Sequence, residues 1–312
     1  MSLTTSRCIE VNNFFKNNGI EKTISHFNLS SETVYRYLRY AKNNDNNIEE
    51  EKEPPKVLIF DIETKPLKGW FWDVWKQNIS HEQIISDWIC LTWSAKWLGH
   101  PEIYSGKLTP EEIANEDDSR IMKDIWKFID ASEVVVAHNG DGFDIIRLNT
   151  RFLLHHLPPP SPYQSIDTLK IARKKFAFPH NKLDFIGQVL GLGGKLETGG
   201  MKLWLKVIDG DKEAIDLMEK YNRRDVTLLE EVYLRFRPWI PSHPNLALSL
   251  EDNNTRCPVC TSTSISYMDR FYNTSVGRYS VFRCDDCGSI GRTRVNSLTK
   301  EKMKHLGVSV AR

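Results

Sequence analysis

Residues Val57-Leu58-Ile59-Phe60-Asp61-Ile62-Glu63-Thr64 change character halfway along: four apolar positions, then two carboxylates spaced two apart. An extended chain sends alternate residues to one face. Val57, Ile59, Asp61 and Glu63 therefore share a face, and Leu58, Phe60 and Ile62 share the other. The pattern predicts a buried strand with two acids emerging side by side at its end. Ile89–Leu98 predicts another strand, with Glu102–Ser105 beside it. Val134–Ala137 predicts a third, running into His138-Asn139-Gly140-Asp141-Gly142-Phe143-Asp144, a glycine-punctuated loop that opens a helix with Ile145, Leu148, Phe152 and Leu153 as its buried stripe. Helical periodicity also marks Asp118–Asp130 through Ile121, Ile125, Trp126 and Ile129, then Ser165–Arg173 and Leu183–Leu190. The longest helical stretch, Lys212–Arg235, has a stripe of Ala214, Leu217, Met218, Tyr221, Asp225, Leu228, Leu229 and Val232, in which Asp225 is the one charge. His155-His156 reads as surface. Trp70, Phe71, Trp72 and Trp75 read as extended chain packed on the core, with a platform for unstacked bases as the alternative.

The two ends have patterns of their own. In residues 1–42, Ile20, Ile24 and Phe27 share a helical face, Asn28-Leu29-Ser30 makes a turn, and Ser30 or Ser31 can cap a second helix over Ser31–Lys42. Val34, Tyr37, Leu38 and Ala41 form that helix's buried side, leaving Arg36 and Arg39 outside. The unit resembles a helix-turn-helix, with DNA contact through Arg36 and Arg39 as one reading and a plain helical cap as the other. Residues 43–56, polar and acidic with Pro54-Pro55 at the end, predict a linker. The expected division is 1–42, linker 43–56, a main α/β domain over 57–240, and a small tail domain over 241–312.

Composition adds where the partners lie. The 312 residues carry 42 Lys/Arg and 41 Asp/Glu, a net charge of +1. That charge divides as +3 over 1–42, −6 over 43–250 and +4 over 251–312. An acidic centre suits metal ions and basic flanks suit a polyanion. No apolar run is long enough to span a membrane, and no basic-then-apolar leader is visible, so a cytoplasmic protein is expected.

The chemistry starts from burial. Two ionised acids at the end of a hydrophobic strand are costly unless something pairs them, and oxygen-only ligands suit Mg²⁺ or Mn²⁺. Asp225 in an apolar stripe poses the same problem, with Tyr221 one turn earlier on the same side. Taken in order, Phe60-Asp61-Ile62-Glu63-Thr64, His138-Asn139-x-x-x-Phe143-Asp144 and Tyr221-x-x-x-Asp225 resemble the three motifs of DEDD-type 3′→5′ exonucleases of the tyrosine subtype. The likeness covers roughly residues 56–236 and is nearest the proofreading domain of B-family DNA polymerases, although the chain has no room for a polymerase domain. It implies a ribonuclease-H-like mixed sheet flanked by helices. It also implies two Mg²⁺ or Mn²⁺ ions: Asp61, Glu63 and Asp225 hold one, Asp61 bridges to the second, and Asp144 supports that second ion. By the same resemblance Tyr221 orients the attacking water. Asp167 and Asp184 could be mistaken for ligands; Asp167 is read as structural or as a support to the ligands, outside the core set.

Six cysteines are present. Cys8 and Cys90 stand alone. Cys257-x-x-Cys260 and Cys284-x-x-Cys287 match the two knuckles of a Cys₄ zinc ribbon, a closed structural site for one Zn²⁺. Between them, Arg270, Arg278 and Arg283 alternate with Tyr267, Phe271, Tyr272 and Tyr279. These could stack on bases and touch phosphates, or pack the ribbon's small sheet. The leading expectation is a metal-dependent 3′→5′ exonuclease on DNA, alone or beside a replication or repair protein. The alternatives are a trimming enzyme for RNA 3′ ends and a non-catalytic DNA-binding regulator on an inactive nuclease fold.

Overall fold

The computed structural model describes residues 5–45, 55–73, 75–76, 78–194, 199–250, 252–308 and 310. They fall into two compact units, Met1–Glu53 with Leu250–Asp252, and Pro54–Ser249 with Asn253–Arg312.

The first unit is helical. α1 (Thr5–Phe27) is broken at Gly19, whose φ of 76° and ψ of 177° leave the helix, a conformation open to glycine because it lacks a Cβ. The second leg of α1 sets Ile20, Ile24 and Phe27 against Val34 and Tyr37 of α2 (Ser31–Asp45). Ser30 Oγ accepts the Thr33 N–H at 3.2 Å, the expected cap. α2 runs past Lys42 to Asp45, so the start of the predicted linker is helical; residues 46–54 lie outside the described residues.

The second unit begins with β1 (Val57–Thr64), β2 (Lys68–Gly69), β3 (Ile84–Ser86), β4 (Cys90–Trp97) and β5 (Tyr104–Lys107). It continues through α3 (Pro110–Ala114), α4 (Ser119–Asp130), β6 (Val134–Ala137), α5 (Asp144–Leu154), β7 (Gln164–Asp167) and α6 (Thr168–Lys175). Then come α7 (Leu183–Val189), α8 (Met201–Ile208) and α9 (Lys212–Phe236), followed by the tail strands β8 (Ile265–Asn273), β9 (Arg278–Cys284) and β10 (Ile290–Arg292) and the short α10 (Lys300–Lys304). The main sheet has five strands in the order β5-β4-β1-β6-β7. β1 pairs antiparallel with β4 and parallel with β6, so it is central and the sheet is mixed.

The alternation in β1 decides what each face meets. Leu58, Phe60 and Ile62 pack with Ile121 and Ile125 of α4 and Leu148 and Phe152 of α5. Val57 and Ile59 pack on the other face with Ile186 of α7 and Val226, Leu229 and Val232 of α9. The result is the expected mixed α/β, ribonuclease-H-like sheet covered by helices on both faces. At the β4–β5 pair, Gly106 opposes Trp93; a Cβ there would sit 2.4 Å from the indole nitrogen, so the buried ring occupies space that only glycine leaves open.

Several expectations change. Ser165–Arg173 is not all helix: Gln164–Asp167 forms β7, because the edge of β6 offers a parallel ladder that the local periodicity does not reveal. Leu153 and Leu217 are exposed. α5 packs through Leu148 and Phe152 and α9 through Ala214, Ile215 and Met218, and each missed leucine lies about 100° round from that line. His155 is half-buried, with Nε2 2.5 Å from Asp118 Oδ1. That fully buried carboxylate also accepts from Arg151 and from the Cys90 N–H. The aromatic run is the largest departure: Trp70, Phe71, Trp72 and Trp75 are exposed, Trp72 to 96%. Their neighbours are the short two-stranded β2–β3 ribbon, which offers no broad sheet face to cover them. Among the described residues no helix is long and apolar enough to cross a membrane.

Candidate metal and nuclease site

Because Asp61 and Glu63 share a face with Val57 and Ile59, they emerge on the side covered by α9. That helix brings Asp225 to them, and carboxylate oxygens of Asp61, Glu63 and Asp225 all lie within 4.8 Å of one another. Asp225 is 1% exposed. Tyr221 is half-buried one turn before it, its ring edge-on to Trp204 of α8 at 6.3 Å. Trp204 is itself fixed by donating to the Thr64 carbonyl at the end of β1.

Asp144 stands apart from that trio, but it is tied to the same strand. Its Oδ1 accepts the N–H of Ile62, the residue between Asp61 and Glu63, at 3.3 Å. Burial pushes its carboxyl up to about 7, with the Ile62 hydrogen bond pulling the other way. The loop that delivers it is pinned by Asp167. That carboxylate caps α6 through the Leu169 and Lys170 N–H groups and also accepts the Asn139 N–H at 3.0 Å, the structural role expected of it. His138 bridges Thr168 Oγ1 and the Asn181 carbonyl, both at 2.9 Å.

One residue escaped the sequence reading. Asn222 is 0% exposed, and its Nδ2 donates to Asp61 Oδ2 at 2.7 Å. The signal was present: a polar amide three residues before Asp225, on a helix face that is otherwise apolar.

In the tail, the sulfur atoms of Cys257, Cys260, Cys284 and Cys287 all lie within 4.8 Å of one another. Each pair closes a tight turn: Thr261 N–H returns to the Cys257 carbonyl and Gly288 N–H to that of Cys284, both at 3.0 Å. The three-stranded antiparallel sheet β10-β9-β8 carries the second knuckle, so the cluster fits a zinc ribbon. The basic residues singled out there are all exposed. Arg278 stacks 3.7 Å from the Phe271 ring centre, and Arg283 donates to the Gly288 carbonyl. Arg292, absent from the sequence reading, lies over Tyr279 at 4.2 Å and Tyr272 at 5.3 Å. Arg36 is exposed on α2, and the side chain of Arg39 lies outside the described residues.

A mixed sheet that gathers acids from its central strand and a covering helix defines a ribonuclease-H-like, nucleic-acid-processing fold. Residues 103–236 match the model of the ribonuclease H superfamily, so the chain carries a domain of that superfamily. The matched segment holds Asp144, Tyr221 and Asp225 and begins after β1 and β4. No curated protein matches the sequence. Among solved structures, the chain is similar to the family B DNA polymerase of the hyperthermophilic archaeon Pyrobaculum calidifontis, at 16% identity and a TM-score of 0.46. That match covers 60% of this chain and 25% of the polymerase.

Proposed function

We propose that the chain is a metal-dependent 3′→5′ exonuclease that hydrolyses phosphodiester bonds of DNA. The observation behind this reading is the meeting of Asp61, Glu63 and Asp225 within 4.8 Å, with the Tyr221 ring one turn away on α9. Three carboxylates so close repel one another unless a cation lies between them. Hard oxygen donors suit Mg²⁺ or Mn²⁺, so these residues fit the ions. Asp61, Glu63 and Asp225 would hold them, and Asp144, raised by burial, would ionise beside the added positive charge. When bound, two such ions acidify water and neutralise charge on the attacking and leaving oxygens.

The chain's own residues supply the rest. Asn222 fixes the direction of the Asp61 carboxylate. Trp204 walls one side of Tyr221, whose hydroxyl orients the attacking water; a phenol titrates near 10 and makes a poor base at neutral pH. The cysteine cluster holds one structural Zn²⁺. Arg36 and Arg39 on α2, and Arg270, Arg278 and Arg283 in the tail, grip phosphates outside the acidic centre.

The test is end-labelled single- and double-stranded DNA and RNA incubated with Mg²⁺, Mn²⁺ or chelator. Stepwise loss of nucleotides from the 3′ end of DNA, absent with chelator and absent in Asp61→Ala and Asp225→Ala, is the expected result. Shortening of RNA alone would move the substrate to RNA, and equal cleavage by Asp61→Ala would refute the site.

A further inference from the structure

The acidic cluster opens at one edge onto a cavity of about 800 Å³, within the ~300–1,000 Å³ range typical of ligand sites. Asp61 and Tyr221 form its near wall. The far wall comes from the end of α6 and the turn into α7: Arg173, His180, Asn181 and Lys182, with Leu169, Pro179 and Leu183 as its apolar part. The cavity thus has Asp61 on one side and the cations Arg173 and Lys182, with Asp184 beside them, on the other.

Three details mark the cationic side as a binding surface rather than a solvated face. First, Arg173 and Lys182 are exposed, and among the described residues neither pairs with a carboxylate. The nearby Lys170, by contrast, is committed to Asp141 at 2.7 Å. Second, Asn181 Oδ1 is buried in the same wall with no hydrogen-bond partner among the described residues; as an acceptor it calls for a donor, such as water or a base amino group, rather than a phosphate. Third, the turn is held in place: His138 Nε2–H donates to the Asn181 carbonyl at 2.9 Å, and Lys182 N–H donates to His180 Nδ1 at 3.2 Å. The one opposing acid on this side, Asp184, accepts from Gln188 Nε2 at 2.9 Å.

We propose that this cavity is the track for the nucleic-acid strand beside the bond being cut, with Arg173 and Lys182 contacting phosphates adjacent to the scissile one. A polyanion approaching three carboxylates is repelled until metal ions neutralise them. Arg173 and Lys182, without carboxylate partners among the described residues, offset that repulsion for the neighbouring phosphates across the cavity. Leu169, Pro179 and Leu183 offer the sugar and base an apolar surface. This assignment rests on the nuclease reading and deepens it, by naming the contacts that make a strand, rather than a free nucleotide, the ligand.

The test is binding of a short fluorescent oligothymidylate to the full chain, without added Mg²⁺ or Mn²⁺ and without chelator, so that nothing is cut and the cysteine cluster is not stripped, measured against salt. Arg173→Ala with Lys182→Ala should weaken binding about tenfold. It should also lower the log–log salt slope by about 1.4, from two contacts at ~0.7 each on a single strand. Both positions are exposed, so the fold should persist, and Arg173→Lys with Lys182→Arg should restore the slope. Thymidine monophosphate should bind more weakly and respond less to the double substitution. Unchanged affinity and slope in the double variant, while the parent still cleaves with Mn²⁺, overturns the track and leaves the nuclease reading standing. Equal response of monophosphate and oligonucleotide overturns the strand assignment. A parent that neither binds nor cuts any polynucleotide overturns both.

Discussion

Replacing Asn222 with alanine removes a buried side chain that holds Asp61 in place. The amide is fully buried and donates at 2.7 Å, a charge-assisted bond worth about 1.5–3 kcal/mol when lost from a buried site. If Asp61 is a metal ligand, the loss should appear mainly as weaker metal binding. Removing such an outer partner typically costs 10–100-fold in metal affinity, which is about 1.4–2.8 kcal/mol at ~1.4 kcal/mol per decade. The two estimates agree, so Asn222→Ala should raise the Mn²⁺ dissociation constant roughly 10–100-fold. Calorimetric titration with Mn²⁺ in the absence of DNA measures this directly, and the metal dependence of cleavage should shift by the same factor. At saturating Mn²⁺ much of the rate should return, because Asp61, Glu63, Asp225 and Tyr221 are intact. Truncation also leaves a small void, so thermal unfolding should be recorded alongside. Mn²⁺ affinity within twofold of the parent in a folded variant would show that Asn222 does not position Asp61 for metal.

Tyr221→Phe should slow cleavage while leaving Mn²⁺ affinity nearly unchanged; lost Mn²⁺ binding would make the tyrosine structural instead. Metal analysis should find one Zn²⁺ per chain, lost in Cys284→Ser with a marked fall in melting temperature, since such zinc contributes folding energy directly; zinc-free parent protein would refute the ribbon's metal. Deleting residues 1–42 should weaken DNA binding and flatten its salt dependence through lost counterion release; identical affinity and slope would assign that unit to a protein partner or to the fold. Glu112, held below its ordinary range by Arg120, and Glu116, held down by Lys65, favour the folded state when ionised. Their contribution is complete above the ordinary glutamate range and fades as pH falls through their lowered values. Acid unfolding of Lys65→Met should therefore begin at a higher pH than in the parent.

What the sequence made legible was whatever a single segment could encode. The β1 alternation placed Asp61 and Glu63 on one face with Val57 and Ile59 because strand geometry fixes that relation without reference to the rest of the fold. The stripe of α9 placed Tyr221 and Asp225 for the same reason. β7 was hidden because its four residues become a strand only through the ladder with β6. Asn222 was hidden because its role exists only across the gap to β1. The aromatic run misled because hydrophobicity reports what could be buried, and the ribbon beside Trp70–Trp75 provides nothing to bury it against.

The last turns of α9 have a consequence for how the protein would respond to chelation. Tyr233, eight residues beyond Asp225 and so about 12 Å further along the helix, bonds His243 at 2.9 Å. Shortly after, the Leu246 N–H docks on the Pro258 carbonyl inside the first cysteine knuckle. One helix and the segment after it therefore link an oxygen-lined site, open to a cavity, with a site lined by four sulfur atoms. Ions held by carboxylates exchange readily, whereas four thiolates release theirs slowly. If both sites hold the ions proposed for them, brief exposure to chelator should remove the proposed cleavage reversibly, and prolonged exposure should loosen the chain from the tail inward. The two events separate in time, so a delayed addition of Mn²⁺ works as a clock for the second.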